Sequence, residues 1–202
     1  MAYYYNGAEI STPFTIVSNE PMFDMTTISL KTERASQGHQ RWELNFNTVL
    51  STSDAQIDNF IESFKDLSSS STMVMPQFKH INDNFTASSN SIAVGQSAAS
   101  GATTVYLNRG SDTGLIPKGS FIKFNNHDKV YVVTNNVDLT GTGNIAVNIY
   151  PNLKQAVTTA NTFKLDSNCL FSYYRNIDNQ TGITFSDGIL ANTGTITLIE
   201  AI

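Results

Sequence analysis

The sequence of 202 residues contains a single cysteine, Cys169, and few charged side chains. One cysteine excludes a disulfide within the chain. Charged residues make up 14% of the sequence, against about 25% in an ordinary soluble domain, and serine, threonine and asparagine are abundant instead. A surface of hydroxyls and amides can contact another copy of itself without burying many unpaired charges, whose burial is costly. The composition therefore favours a protein that assembles.

Other absences narrow the possible functions. No stretch approaches the ~18 consecutive apolar residues of a membrane span, and no signal-peptide pattern opens the sequence, so we expect no membrane insertion and folding in a reducing cytoplasm. The net charge is −5, and the basic residues form no continuous run; they group only as Lys31 with Arg34, and Lys118 with Lys123 and Lys129. Because nucleic-acid binders usually carry a basic face, we exclude specific DNA or RNA binding as the primary role.

The three histidines show no pattern of a metal or catalytic site. His39, His80 and His127 lie in predicted turns or linkers. None of them has metal-ligand spacing from another histidine or from Cys169. We therefore predict exposed loop histidines and no bound metal.

The carboxylates also lack a pattern that singles out a catalytic pair. Asp54, Asp58 and Glu62 step by four along one face of a predicted helix, which indicates a solvated face. The sequence contains no phosphate-binding loop, no nucleophile elbow and no dinucleotide fingerprint. We predict no catalytic residues, no cofactor and no enzymatic activity.

Short alternating segments predict a mainly β protein. Residues 41–50 alternate, with Trp42, Leu44, Phe46 and Thr48 on one face, which is typical of a half-buried strand. Turns are expected at 115–119 and 125–128. Further strands are expected at 14–17, 25–30, 72–75, 103–107, 121–124, 129–134, 144–150, 169–175, 183–185 and 195–199.

One helix is predicted at residues 53–67. Ser53 and Gln56 form a capping-box pattern. An apolar stripe follows at i, i+3, i+4 and i+7, formed by Ile57, Phe60, Ile61 and Phe64. We expect the helix to lie across the open face of the sheet. The predicted core contains the large side chains of the helix and the alternating strand, namely Trp42, Phe46, Phe60 and Phe64.

The character of the predicted strands divides the chain. Residues 1–87 and 168–202 have longer strands with aromatic faces, whereas residues 88–167 have short strands and glycine-containing turns, which are typical of a small barrel. Polar, irregular residues from His80 to Ser91 indicate a connector. We therefore expect a discontinuous first domain with a small barrel inserted in it.

Two runs of sequence resemble segments of a known family. Residues 28–46, Ile-Ser-Leu-Lys-Thr-Glu-Arg-Ala-Ser-Gln-Gly-His-Gln-Arg-Trp-Glu-Leu-Asn-Phe, followed by a short helix, resemble the N-terminal part of phage tail proteins that reuse the tail-tube β-sandwich. Residues 116–124, Ile-Pro-Lys-Gly-Ser-Phe-Ile-Lys-Phe, with Lys-Val-Tyr-Val-Val at 129–133 and Ile-Tyr-Pro-Asn-Leu at 149–153, resemble the small barrel inserted in some of them. The order of the two runs is similar to that of the bacteriophage distal tail, or baseplate-hub adaptor, proteins.

The resemblance implies a structural virion protein with a tail-tube-like β-sandwich, one flanking helix and a barrel like the oligonucleotide/oligosaccharide-binding fold. It implies a hexameric ring at the distal end of the tail tube that joins the tube to the baseplate or tail tip, contacts tube, hub and baseplate proteins, and lines the DNA channel. It also implies location in the virion tail after assembly in the host cytoplasm. Nucleic-acid binding does not follow from the barrel fold. An acidic ring would instead repel passing DNA.

Three other functions are considered. A glycan-binding module would need exposed aromatic side chains on the barrel, for which Tyr106, Tyr131 and Tyr150 are the candidates. A tail-tip hydrolase is the second, and another tail component, such as a tube or terminator protein, is the third.

Tyr3–Tyr5 form either a docking surface or the first strand of the sheet. The sequence does not specify the residues of any binding surface.

Overall fold

The structure is a computed structural model, and it describes residues 3–36, 38, 40–49, 54–62, 68–77, 91–141, 143–176, 184–186, 189–192 and 194–202. The chain divides into two compact units. The first comprises Met1–Ser71, Tyr173–Glu200 and Ile202, and the second comprises Thr72–Ser172 and Ala201. The predicted domain boundaries at 88 and 167 stay a prediction, and residue 88 lies outside the described residues.

Strands dominate both units, which confirms the prediction of a mainly β fold with a flanking helix and a small barrel. The elements are, in chain order, β1 (Tyr4–Tyr5), β2 (Ala8–Asn19), β3 (Met22–Thr26), β4 (Thr32–Ser36), β5 (Arg41–Thr48), α1 (Asp54–Glu62), β6 (Ser71–Val74), β7 (Ser91–Gln96), β8 (Thr104–Asn108), β9 (Leu115–Ile116), β10 (Phe121–Phe124), β11 (Val130–Val133), β12 (Val137–Asp138), β13 (Asn144–Tyr150), β14 (Thr162–Leu165), β15 (Leu170–Arg175), β16 (Thr184–Ser186), β17 (Ile189–Asn192) and β18 (Ile196–Glu200).

The largest sheet has six strands in the order β1-β2-β5-β18-β15-β6. Its strand β5 pairs with β2 on one side and with β18 on the other, so Leu44 lies opposite both Ile16 and Leu198. The predicted alternation along β5 is confirmed, because Trp42, Leu44, Phe46 and Thr48 are all buried. The core predictions for Trp42 and Phe46 are therefore correct.

Tyr4 and Tyr5 belong to the first strand of this sheet, the simpler of the two predicted alternatives, and Tyr3 directly precedes it. Tyr4 and Tyr5 form β1, which pairs with the start of β2. Tyr5 is completely buried, and its ring contacts that of Phe46 at 5.4 Å and that of Tyr173 at 5.9 Å. Tyr4 points to the opposite face and is exposed.

Two predicted elements, one in each unit, differ from the structure. Residues 25–30 were expected to form one strand, but Met25 and Thr26 end β3 and the following residues form the turn of a β3–β4 hairpin. Leu30 adopts a positive φ of 61°, which belongs to a turn and not to a strand. Residues 115–119 were expected to form a turn; the turn is present at Lys118 and Gly119, whereas Leu115–Ile116 form β9, which pairs with β12.

The helix α1 is described over Asp54–Glu62, whereas the prediction covered residues 53–67; residues 63–67 lie outside the described residues. Its apolar stripe is only partly covered, because Ile57 is half-buried and Ile61 is exposed. The side chain of Phe60 and all of Phe64 lie outside the described residues, so their core assignment stays a prediction.

The second unit contains a closed barrel of six strands in the order β10-β11-β13-β8-β7-β14. Closure is made by β14, which pairs with β7 on one side and with β10 on the other. A closed barrel leaves no open sheet edge. The barrel has its own aromatic core, in which the ring of Phe124 lies 4.9 Å from that of Phe163 and 5.5 Å from that of Tyr131.

Sequence patterns predicted four of the barrel strands and missed two. Strands β10 and β13 have the predicted bounds, and Val147 and Ile149 of β13 are buried. The missed strands are β7, which contains Gly95 and only two large apolar residues, and β14, which is four residues long. Both are defined by the pairings that close the barrel, and local propensity does not reveal such pairings.

We predict that the buried aromatic face of β5 is needed for stability. Replacing Phe46 with alanine should lower the free energy of unfolding by about 3–5 kcal/mol, because the substitution leaves a cavity beside Tyr5. Denaturant unfolding of the monomeric chain measures this change. Phe23→Ala is the matched control: Phe23 is exposed, so its loss should change stability by less than about 0.5 kcal/mol. Equal effects of the two substitutions would contradict the described core.

Candidate assembly surfaces and barrel groove

The hairpin of β3 and β4, residues 22–36, is the most exposed structured segment of the first unit, and we call it the arm. Every residue of both strands is exposed. Its register places Phe23 opposite Ala35 and Met25 opposite Glu33. Because directly opposed residues share a face, Phe23, Met25 and Ala35 form an apolar surface on one side of the arm.

The other side of the arm is polar. Asp24 lies opposite Arg34, and the two side chains form an ion pair at 3.3 Å. The two threonines that end the paired segment, Thr26 and Thr32, are on this same side. The arm is therefore a two-faced ribbon: one side is apolar apart from Glu33, and the other is polar apart from Met22.

The turn of the arm adds two further apolar side chains. Ile28 is fully exposed and Leu30 is 84% exposed. Beside them, Lys31 forms an exposed ion pair with Glu33 at 3.0 Å. The turn is ordered by backbone hydrogen bonds between Thr27 and Lys31 and between Leu30 and Thr27. The tip thus presents two large apolar groups next to one ammonium group.

An isolated two-stranded hairpin is only marginally stable in water. The arm nevertheless exposes four large apolar side chains on its apolar side and in its turn, Phe23, Met25, Ile28 and Leu30, while Met22 lies on the opposite side. At about 100 Å² for each of the four, together they offer on the order of 400 Å² of apolar area. That is about half of the ~800 Å² that each partner buries in a standard interface. Contiguous apolar patches of this size commonly mark interaction sites.

A second exposed apolar group lies at the far end of β2, and we call it the corner row. It consists of Tyr4, Glu9 and Val49. Tyr4 lies opposite Glu9, and the Val49 N–H donates to the Glu9 carbonyl at 2.7 Å, so the three residues are neighbours across β1, β2 and the end of β5. All three are exposed. The row places a carboxylate between an aromatic and an aliphatic side chain.

One face of the sheet carries a series of hydrogen-bonded polar side chains, which we call the polar ladder. Glu43 accepts one hydrogen bond from the Asn19 amide at 2.7 Å and another from the Asn45 amide at 2.9 Å. The Thr197 hydroxyl donates to the Asn45 side-chain carbonyl at 2.6 Å. The ladder crosses β2, β5 and β18, on the opposite face of β5 from Trp42 and Leu44.

The barrel carries an open groove of about 370 Å³. It is lined by the residues of β10 and the following turn together with residues of β14 and β15, namely Lys123, Phe124, Asn125, Asn126, His127, Asp128, Lys164, Asn168 and Leu170. Its charged groups already have partners in the fold: the Lys123 ammonium binds the Asp128 carboxylate at 2.7 Å, and the Ser172 hydroxyl donates to the same carboxylate at 3.0 Å. These bonds favour a structural role for the groove.

His127 corrects a prediction, because it is half-buried and not an exposed loop histidine. Its Nε2 lies 2.8 Å from the Tyr131 hydroxyl, and its Nδ1 lies 2.8 Å from the Asn126 side-chain carbonyl. The Lys154 N–H in turn donates to the Tyr131 hydroxyl. Burial, followed by the nearby Lys154 and Lys123 ammonium groups, lowers the pKa of His127 to about 4. At neutral pH the ring is therefore uncharged and holds the turn that follows β10.

The remaining candidate residues are dispersed. His39 and His80 lie outside the described residues. Among the aromatic candidates for glycan binding, Tyr131 is completely buried, which rules it out as an exposed platform, whereas Tyr106 is exposed and Tyr150 is half-buried. Within the described residues, no group of three or more histidine, cysteine, aspartate or glutamate side chains is placed to hold a metal ion. No helix in the described part of the chain is long and apolar enough to cross a membrane.

None of the three surfaces, the arm, the corner row and the polar ladder, was predicted from the sequence. The strand predicted at 25–30 covered part of the arm, but residues 32–36, Thr-Glu-Arg-Ala-Ser, have little β propensity and gave no strand signal. The corner row and the polar ladder combine residues from distant parts of the chain. Thr197 and Asn45 are 152 positions apart, so only the strand pairing brings them together.

These features define a β-rich protein whose exposed surfaces are suited to assembly. Residues 83–168, which contain the whole barrel, match the family model described as "Distal tail protein pb9, B domain". The match confirms the resemblance to the bacteriophage distal tail protein family and supports a structural role in a phage tail. No match is found among curated proteins. The absence of enzymatic activity stays a prediction.

We predict that neutral His127 contributes a pH-dependent part of the stability. The pKa of His127 is lowered from 6.5 to about 4 on folding, so the unfolded chain binds this proton more strongly. The contribution is full above pH 6.5 and is lost as the pH falls towards 4. The midpoint of thermal unfolding, measured from pH 7 to 4.5, should therefore fall less steeply for His127→Gln than for the unchanged chain. Parallel curves would show that the pKa of His127 does not change on folding.

Proposed function

We propose that this chain is the subunit of a hexameric ring at the distal end of a phage tail tube, where it joins the tube to the baseplate or tail tip. The observation that carries the proposal is the match of the barrel to the B domain of a distal tail protein. In the proposed ring the first unit continues the tube as a β-sandwich, and the barrel contacts other tail components. Location in the virion tail and assembly in the host cytoplasm follow from this role.

The surfaces of the first unit support a ring. A closed ring needs two different complementary surfaces on each subunit, since its contacts are heterologous. The arm and the corner row are two such surfaces, and they lie at opposite ends of β2. The low proportion of charged residues also favours contacts between copies, because few charges must be desolvated.

The accessible part of the polar ladder, exposed Asn19 with half-buried Glu43 and Asn45, supports a second part of the proposal, that this end of the sheet face lines the DNA channel; Thr197 of the ladder is buried. Both carboxylate oxygens of Glu43 already accept amide hydrogen bonds, and the Asn45 amide is likewise engaged. Such a face carries negative charge and has few side-chain donors left for phosphate oxygens. Repeated around a ring, it would repel the DNA backbone and let DNA slide.

Two alternative functions have less support. Glycan binding by the barrel would use its groove, but the Lys123 ammonium there is bound to Asp128 and the His127 ring is bound to Tyr131. A tube or terminator protein would share the sheet unit, yet the matched model is that of a distal tail protein domain. We therefore place the ring subunit first.

The oligomeric state and location test the proposed function. The purified chain, alone or with its tail partners, should give a six-subunit mass in native mass spectrometry. Electron microscopy of tails should show its ring at the end of the tube. A chain that stays monomeric with its partners and is missing from purified tails would contradict the proposal.

The channel assignment predicts an effect of Glu43 on DNA release. Glu43→Lys places an ammonium group on the polar ladder in every subunit, so DNA should leave purified particles more slowly, whereas Glu43→Gln should have little effect on rate. Asp58→Lys is the matched control, because Asp58 is exposed on α1. DNA release is measured by dye fluorescence after ejection is triggered. Unchanged release in intact Glu43→Lys particles would remove Glu43 from the channel wall.

A further inference from the structure

We infer that the arm of each subunit docks on the corner row of a neighbouring copy of the same chain, and that this contact closes the ring. The inference rests on the proposed function, since it names the surfaces by which the proposed ring forms. The donor surface is the tip and apolar side of the arm. The acceptor surface is the row of Tyr4, Glu9 and Val49.

The apolar side of the arm needs a covering partner. Phe23, Met25, Ile28 and Leu30 are each more than 60% exposed, and the hairpin they occupy has no second layer in the described part of the chain. A two-stranded ribbon of this kind gains order when its apolar side is buried. The area that the arm offers is about half of what one partner buries in a standard interface.

The chemistry of the two surfaces matches. At the tip of the arm, Lys31 lies beside exposed Ile28 and Leu30. In the corner row, Glu9 lies beside exposed Tyr4 and Val49. The ion pair of Lys31 with Glu33 is exposed, and exposed pairs contribute little, so Lys31 can exchange Glu33 for Glu9 of a neighbour at small cost. The Lys31 ammonium group, which lies beside two apolar side chains, would thus meet the Glu9 carboxylate, which also lies beside two apolar side chains.

The geometry favours a second copy over contact within one chain. The arm starts after Asn19, where β2 pairs with the beginning of β5, and the corner row lies at Glu9, near the other end of β2. On the paired strand β5 these points correspond to Arg41 and Val49, eight residues apart, so roughly 27 Å separates them. The arm leaves the sheet at the end away from its own row. Donor and acceptor at opposite ends of one strand give the head-to-tail contact from which rings are built.

A charge exchange tests the contact. Lys31→Glu and Glu9→Lys should each weaken ring assembly by ~10-fold or more in the concentration of half-assembly, because each places like charges together. The double variant Lys31→Glu/Glu9→Lys should restore assembly, since it rebuilds the pair in reverse. Lys118→Glu on the barrel is the control for a change in net charge and should assemble normally. Analytical ultracentrifugation measures assembly, and circular dichroism confirms that each variant is folded.

Disulfide trapping tests whether the arm of one copy lies on the corner row of another. Oxidation of Leu30→Cys mixed with Val49→Cys should give covalent dimers, whereas either variant alone should stay monomeric under denaturing conditions; native Cys169 is completely buried. Dimers from Leu30→Cys alone would mean that two arms pair with each other, and this outcome overturns the inference. Two further outcomes overturn the inference but leave the proposed ring intact: rings that form although the two cysteine variants give no crosslink, and rings whose assembly the double charge variant does not restore. A chain that forms no ring at all contradicts the proposed function itself.

Discussion

The pairing of β5 with β18 is the interaction on which the first unit depends. It joins distant parts of the chain: Leu44 lies opposite Leu198, and the buried Glu200 carboxylate accepts the Trp42 N–H across 158 positions. Bringing such distant segments together costs conformational entropy, but that cost grows slowly with the length of the intervening chain. Here the intervening chain contains a barrel with its own core, so much of it is already ordered. The polar ladder depends on the same pairing, since its Thr197–Asn45 bond crosses the two strands.

The sequence predicted elements whose stability is local or periodic. The alternation of Trp42, Leu44 and Phe46 defines a face that is buried in the structure, and the strands at 121–124 and 144–150 have the predicted bounds. Elements that depend on long-range partners escaped prediction. Strands β7 and β14 each have only two large apolar residues, and they are paired by the closure of the barrel. Tertiary context here overrides local propensity.

The candidate surfaces show the same division. The arm is a local hairpin, but its second strand, residues 32–36, has too little β propensity to be predicted from the sequence. The failure of the single-strand prediction at 25–30 came from reading Ile28 and Leu30 as strand residues, although both are exposed in a turn. His127 was predicted to be exposed because its polar neighbours indicate a turn; its contacts with Tyr131 and Phe124 come from the barrel core, which no local pattern reports.

The late position of β18 has a consequence for the order of events during synthesis. All strands of the barrel lie between residues 91 and 165, so the ribosome releases them before Ile196–Glu200. Until that last strand arrives, β5 has one unpaired edge, and an exposed edge of this kind invites pairing with other chains. If the barrel folds early through its own contacts, β18 needs less time to find β5. Because β18 is synthesised after the barrel, its position determines when folding within a chain ends and association between chains can begin.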